Sequence, residues 1–258
     1  MSRIRWCLAC GLAALLAGCI TVSEATRGQA EAHRQLAEVR LGKNQVELAI
    51  GDYKKSIELY DEDPEAHFGL SEAYRRKGFF DLAEQQLFKT LRVDPSFLEA
   101  RLNLGVIYLQ QERWQEAIQQ NDILIMEATF LRPARALVNR GWAHYKSENT
   151  EQAERDFRRA LKEGGANHYA HMNLGILYYG QGELVAAIQE FDQVLEILEL
   201  RPVELYGASE AEARFRIAQA YVRLGQRVEA IEHLKVALER GGKGKWGRKS
   251  KDYLAVLQ

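Results

Sequence analysis

The sequence predicts an all-α solenoid of about six helix–turn–helix repeats, and three observations carry that prediction. LNLGVIYLQQERWQEAIQQ at 102–120 aligns without a gap on MNLGILYYGQGELVAAIQE at 172–190. The same register recurs as GLSEAYRRKGFFDLAEQQL from Gly69 and RIAQAYVRLGQRVEAIEHL from Arg216. Six units anchor on a small residue of their second helix, Ala49, Ala83, Ala117, Ala153, Ala187 and Ala230, spaced 34, 34, 36, 34 and 43 residues apart. All four prolines, Pro64, Pro95, Pro133 and Pro202, fall between one hairpin and the next. A proline inside a helix costs about 3 kcal/mol, so that placement marks the boundaries independently.

In chain order, residues 1–18 read as a secretory signal peptide. Arg3 and Arg5 precede an apolar run from Trp6 to Ala17, Gly18 closes it, and no acid occurs before Glu24. The run is shorter than the roughly 20 residues a membrane span needs. Leu16-Ala17-Gly18-Cys19 resembles the bacterial lipobox. That resemblance implies cleavage before Cys19 and acylation of its thiol and new amine, palmitate included, whereas an ordinary secretory signal would leave Cys19 unmodified. Ile20 follows the cysteine, which by the same resemblance implies export to the outer membrane. Cys7 and Cys10 would leave with the signal, so neither a disulfide nor a thiolate metal site is expected. Residues 19–29 are expected to be a lipidated flexible tether, with Ile20 to Gln29 reaching about 35 Å at full stretch.

Residues 30–241 hold the repeats. Ala37, Ser71, Gly105, Gly141, Gly175 and Ala218 mark the first helices, whose small side chains allow close helix crossing. Tyr74, Tyr108, Tyr178 and Tyr221 follow three residues later, and Gly78, Gly182 and Gly225 supply turns where positive φ is cheap. This pattern resembles the tetratricopeptide repeat, whose period is 34 residues. The resemblance implies a right-handed superhelix with a concave groove lined by first helices. Some positions depart from it: Arg140 and Asn121 stand at normally apolar places, and Arg40 replaces a tyrosine in the first unit. Nine extra residues around LELRPVELYGA are expected to extend a helix before the sixth unit. Residues 242–258 read as a basic tail in which YLAVL caps the last hairpin. Lys243, Lys245, Arg248, Lys249 and Lys251 read there as a solubilising cap, with anionic lipid or peptidoglycan as the competing reading.

The chemistry points away from an enzyme. The sequence contains no phosphate loop, nucleophile elbow or paired metal motif. His168 and His171, three apart, share a helix face, but no cysteine or carboxylate cluster completes a ligand set, so no metal is expected. Loss of residues 1–18 takes Arg3 and Arg5 from a chain of net charge −1, leaving about −3. That balance gives no electrostatic case for nucleic acid. No cofactor beyond the covalent lipid on Cys19 and no small-molecule substrate is expected.

Carrying the groove positions of the repeat family onto this chain nominates Leu102, Val106 and Leu109 in the third unit. It nominates Val138, Trp142 and Tyr145 in the fourth, and Tyr169, Met172, Ile176 and Tyr179 in the fifth. The second unit instead presents Glu65, Phe68, Glu72, Arg75 and Arg76, and the sixth Glu212, Phe215, Gln219, Val222 and Arg223. An apolar, aromatic centre flanked by charge is the pattern of a protein-binding site. Asn103, Asn139 and Asn173 are candidate donors to an extended ligand's backbone. A lipidated solenoid of six such repeats resembles the secretin pilotins of type IV pili (the Tgl, PilF and PilW type). The resemblance implies an outer-membrane lipoprotein, facing the periplasm, that binds secretin subunits and promotes their multimerisation, and hence pilus biogenesis and motility. The alternative is a general envelope scaffold serving outer-membrane protein assembly or peptidoglycan enzymes.

Overall fold

The computed structural model describes residues 22–164, 167–199 and 201–257. These form six antiparallel helix pairs and a final single helix, with no strand among the described residues. The pairs are α1 (Glu24–Gly42) with α2 (Val46–Leu59), α3 (Pro64–Arg76) with α4 (Phe80–Val93), and α5 (Leu98–Gln110) with α6 (Trp114–Met126). They continue as α7 (Pro133–Lys146) with α8 (Thr150–Gly164), α9 (His168–Gln181) with α10 (Leu184–Glu199), and α11 (Val203–Arg223) with α12 (Arg227–Gly241); α13 (Lys245–Leu257) is the final helix.

Each pair turns in the same way. Asn44, Gly78, Glu112, Glu148, Gly182 and Gly225 all have φ between 59° and 84° and recur with the spacing of the repeats. The following N–H then bonds back to a carbonyl five residues earlier, from Gln45 to Arg40 through Gln226 to Tyr221, at 2.8–2.9 Å. This Schellman closure satisfies carbonyls that the helix end leaves orphaned. Three of the six turns place Asn or Glu where glycine would be unstrained.

Within a unit, a second-helix side chain drives into the small residue of the first helix. A Cβ on Gly105, Gly141 or Gly175 would lie 2.5–2.7 Å from Asn121, Phe157 or Phe191 respectively, so only glycine permits this approach. The first helices of several neighbouring units touch (α1 with α3, α5 with α7, α7 with α9), whereas among the described residues no two second helices pack closely. The solenoid therefore curves with its first helices on the concave side.

The departures from the repeat pattern are resolved locally. Arg140 makes a bidentate pair with buried Asp156 at 2.8 and 2.5 Å and reaches Asp122 at 2.6 Å. Its guanidinium pKa is raised, chiefly by the hydrogen bond to Asp156. Arg40 pairs with buried Asp52 at 2.5 Å, so an ion pair occupies the first unit's tyrosine position. Asn121 donates to the Ala117 carbonyl at 2.7 Å. The nine extra residues lengthen α11 to 21 residues, and Gly207 in the extension lies against the Arg240 carbonyl.

Two expected boundaries move. The tether was expected to run to residue 29, but α1 already begins at Glu24, because the Ser23 hydroxyl caps the Thr26 N–H at 3.1 Å and Glu24 favours the positive helix end. The capping helix was expected at YLAVL, but it begins at Lys245. The signal peptide and Cys19 lie outside the described residues.

Candidate protein-binding groove

On the concave side, α5, α7 and α9 enclose a groove of about 620 Å³. Val106 and Leu109 of α5 and Val138 and Trp142 of α7 form its apolar wall, and Tyr169 stands at its rim, 60% exposed. Arg135, Asn139, Asn167 and Asn173 supply the polar lining. The helical register puts these side chains together: Val106 and Trp142 each follow the unit's small residue by one, and Leu109 follows by four. Trp142 is held against Tyr145, ring centroids 5.4 Å apart.

The polar atoms are donors as much as acceptors. Arg135 is exposed and makes no ion pair among the described residues. The Asn139 side-chain amide nitrogen is buried with no hydrogen-bond partner among them. Asn167 is different: its side-chain oxygen caps α9, accepting from the Tyr169 and Ala170 N–H groups at 3.1 and 3.2 Å.

The groove therefore holds five of the ten nominated residues, Val106, Leu109, Val138, Trp142 and Tyr169. Tyr145, Ile176 and Tyr179 are half-buried beside it, packed on the neighbouring core. Arg223 lies over the Tyr179 ring at 4.8 Å and donates to its carbonyl at 3.0 Å, covering that end. Leu102 and Met172 are corrections: both are core, 1% and 8% exposed. They precede the unit's small residue by three and turn toward the end of their own second helix. Leu102 packs with Leu124 and Phe130, and Met172 shares a cluster with Val194 and Leu198. In the flanks, Glu72 is tied to Arg75 and Arg76, and Phe215 is covered by Trp246 and Tyr253 of α13.

A family model described as tetratricopeptide repeat matches residues 34–92, 73–129 and 138–202, and a second of the same description matches 212–240. The chain belongs to the tetratricopeptide-repeat family. Among curated relatives, the type IV pilus assembly protein PilF of Pseudomonas aeruginosa is 23% identical over 189 residues, covering 70% of this chain and 75% of PilF. The solved structure of P. aeruginosa PilF superposes with a TM-score of 0.70 at 19% identity, over 90% of this chain and all of that one. The crystal structure of PilW, a widely conserved type IV pilus biogenesis factor, gives 0.73 at 18% identity, over 85% and 97%.

As a tetratricopeptide-repeat chain, this one adds two groove residues that sequence reasoning missed. Arg135 sits six residues before its unit's small residue, the relation that nominated Tyr169, so the register already contained it. Asn167 precedes its helix and was legible only as an N-cap. His168 and His171 do not converge. His171 bonds Glu190 at 2.7 Å, while His168 stacks on Tyr169 and meets Tyr206 edge-on. Among the described residues no three His, Cys, Asp or Glu side chains gather as a metal site, and no helix is long and apolar enough to cross a membrane.

Proposed function

We propose that this tetratricopeptide-repeat protein is an outer-membrane lipoprotein of type IV pilus biogenesis that acts as pilotin for the pilus secretin. The observation that carries the reading is correspondence over a whole solenoid rather than a few repeats: all of the solved PilF chain and 90% of this one. In this reading the groove of α5, α7 and α9 holds an apolar secretin segment against Trp142 and Val138 until oligomerisation buries that segment. Acylated Cys19 supplies the address. With α1 starting at Glu24, only Ile20 to Ser23 separate the lipid from the first helix, a reach of about 14 Å. The N-terminal end of the solenoid is thus held next to the bilayer.

The test is the amount of heat-resistant secretin multimer in outer membranes of cells with and without the gene, read on unboiled gels. Loss of multimer with monomer retained is the expected result. Unchanged multimer overturns the reading and directs crosslinking from the groove toward envelope-assembly or peptidoglycan-enzyme partners. In complemented cells, Trp142→Ala with Tyr169→Ala should leave helical content intact and fail to restore multimer; full restoration would remove the groove from the mechanism.

A further inference from the structure

The outer face of α13 is unlike the rest of the surface. Residues 243–251, KGKWGRKSK, hold five cations and no acid in a chain whose net charge is −1. Lys243, Lys245, Arg248, Lys249 and Lys251 are all exposed. Helical spacing separates α13 cleanly into two sides. Gly247, Ser250 and Leu254 are buried and Trp246 and Tyr253 half-buried, while the four α13 cations share the other side with one exposed acid, Asp252, and with Val256, 77% exposed, so that side keeps a net positive charge. The helix is locked in place: a Cβ on Gly247 would lie 2.1 Å from the Gly242 carbonyl oxygen, so backbone meets backbone where α12 ends.

None of these cations forms an ion pair among the described residues. α8 handles its charge differently, pairing Arg155, Arg158 and Arg159 with Glu151, Glu154 and Glu163. A face that needs only solubility is served by mixed signs in that way. On α13 the like charges crowd instead. Lys245 and Lys249 both crowd the Trp246 indole, 4.6 and 5.1 Å from its centroid, whereas Arg216 of α11, 5.3 Å from that ring, is already paired with Glu212 at 2.7 Å. Such a cluster repels itself and is relieved by an apposed anionic surface.

We infer that the outer face of α13 docks on an anionic lipid bilayer. Its cations run along a convex helix for about 9 Å, a row that suits the averaged charge of many headgroups. Basic side chains along one face of an amphipathic helix suit a membrane interface, and Val256 adds an exposed apolar contact on that face, while Trp246 packs inward on Phe215 and fixes the helix in place. The inference is independent of lipid at Cys19. Where both hold, the solenoid is tied to the membrane at both ends and lies along it.

The test uses the full chain carrying Cys19→Ser, which cannot be acylated, and cosedimentation with phosphatidylcholine vesicles with or without one-third phosphatidylglycerol. Binding should require the anionic lipid and weaken with salt. Each basic side chain near such a surface is worth about fivefold in affinity, so K245Q/R248Q/K249Q/K251Q together should weaken binding by about 600-fold if the four contributions add. K245R/K249R/K251R should bind as the parent does, which separates charge from folding. Any apolar contribution from residues 1–18 is common to all variants. Equal sedimentation of parent and glutamine variant, or equal binding to both vesicle types, overturns the inference. Retention of the parent alone on heparin, without vesicle binding, overturns it in favour of a soluble polyanionic partner.

Discussion

Arg140 shows how a residue that breaks the repeat pattern can still belong to the fold. It stands where the equivalent residues are Leu70, Leu104 and Leu174, all 3% exposed or less, and it is accommodated only because Asp156 and Asp122 converge on it. Asp156→Ala removes the bidentate partner of a mostly buried guanidinium, leaving Asp122 alone to hold it, and should cost about 2–3 kcal/mol. Asp156→Ala with Arg140→Leu restores the apolar position and should recover most of that loss. A double-mutant cycle of thermal melts checks it; additive losses would mean that the pair does not couple. The sequence flagged Arg140 as an anomaly but not its partners, because Asp122 and Asp156 look like ordinary solvated acids until the helices cross. The turns carry a second residue-level prediction. Glu148 occupies φ 65°, in register with Gly182 and Gly225. Glu148→Gly should stabilise by about 0.5–1 kcal/mol, the left-handed strain removed less the flexibility gained. A lower melting temperature would show that the Glu148 side chain contributes more than its backbone costs.

Elements were legible where periodicity and punctuation agreed. Prolines placed the starts of α3 and α7, where Pro64 and Pro133 are first-turn residues, and the small-residue register placed every pair from α1/α2 to α11/α12. The first-helix face was harder. Leu102 and Val106 look alike in the sequence, yet one is sealed by Phe130, a residue beyond its own hairpin, while the other lines the groove. Which apolar residue is core depends on the connection leaving the second helix, and repeat spacing does not encode that. The extent of α13 was underestimated for a similar reason. Its start reads as a glycine-broken basic tail, and the glycines are there to bring it against α12. Gly247→Ala should therefore detach α13 from α12, uncovering Phe215 and lowering stability by about 2 kcal/mol or more. Near-ultraviolet dichroism of Trp246 and binding of a hydrophobic dye report the detachment, and unchanged signals would mean that α13 is held elsewhere.

A solenoid is stabilised mainly by contacts between neighbouring units, so its parts can soften separately. The titratable groups are distributed unevenly along it. His144, His168 and His233, in the fourth, fifth and sixth units, all have pKa values lowered from 6.5, in each case chiefly by burial. For His168 and His233 a nearby arginine, Arg201 or Arg214, acts in the same direction. A histidine depressed in the folded state is held neutral there, while the unfolded chain takes up its proton first. Its contribution is therefore complete above pH 6.5 and is lost as pH falls through 6.5 toward the lower folded values. Carboxylate pairs such as Glu72 with Arg75 and Arg76 fail only at more acid pH, below the ordinary range of about 4.3. Between pH 7 and 5 the half of the molecule from Pro133 onward should loosen while α1 to α4 hold. Hydrogen exchange across that interval would show faster exchange in α7 to α12, and His233→Gln or His168→Gln would flatten the dependence in its own unit. Uniform loosening along all six units would instead mean that the solenoid melts as one cooperative body and that the histidines do not set where it opens.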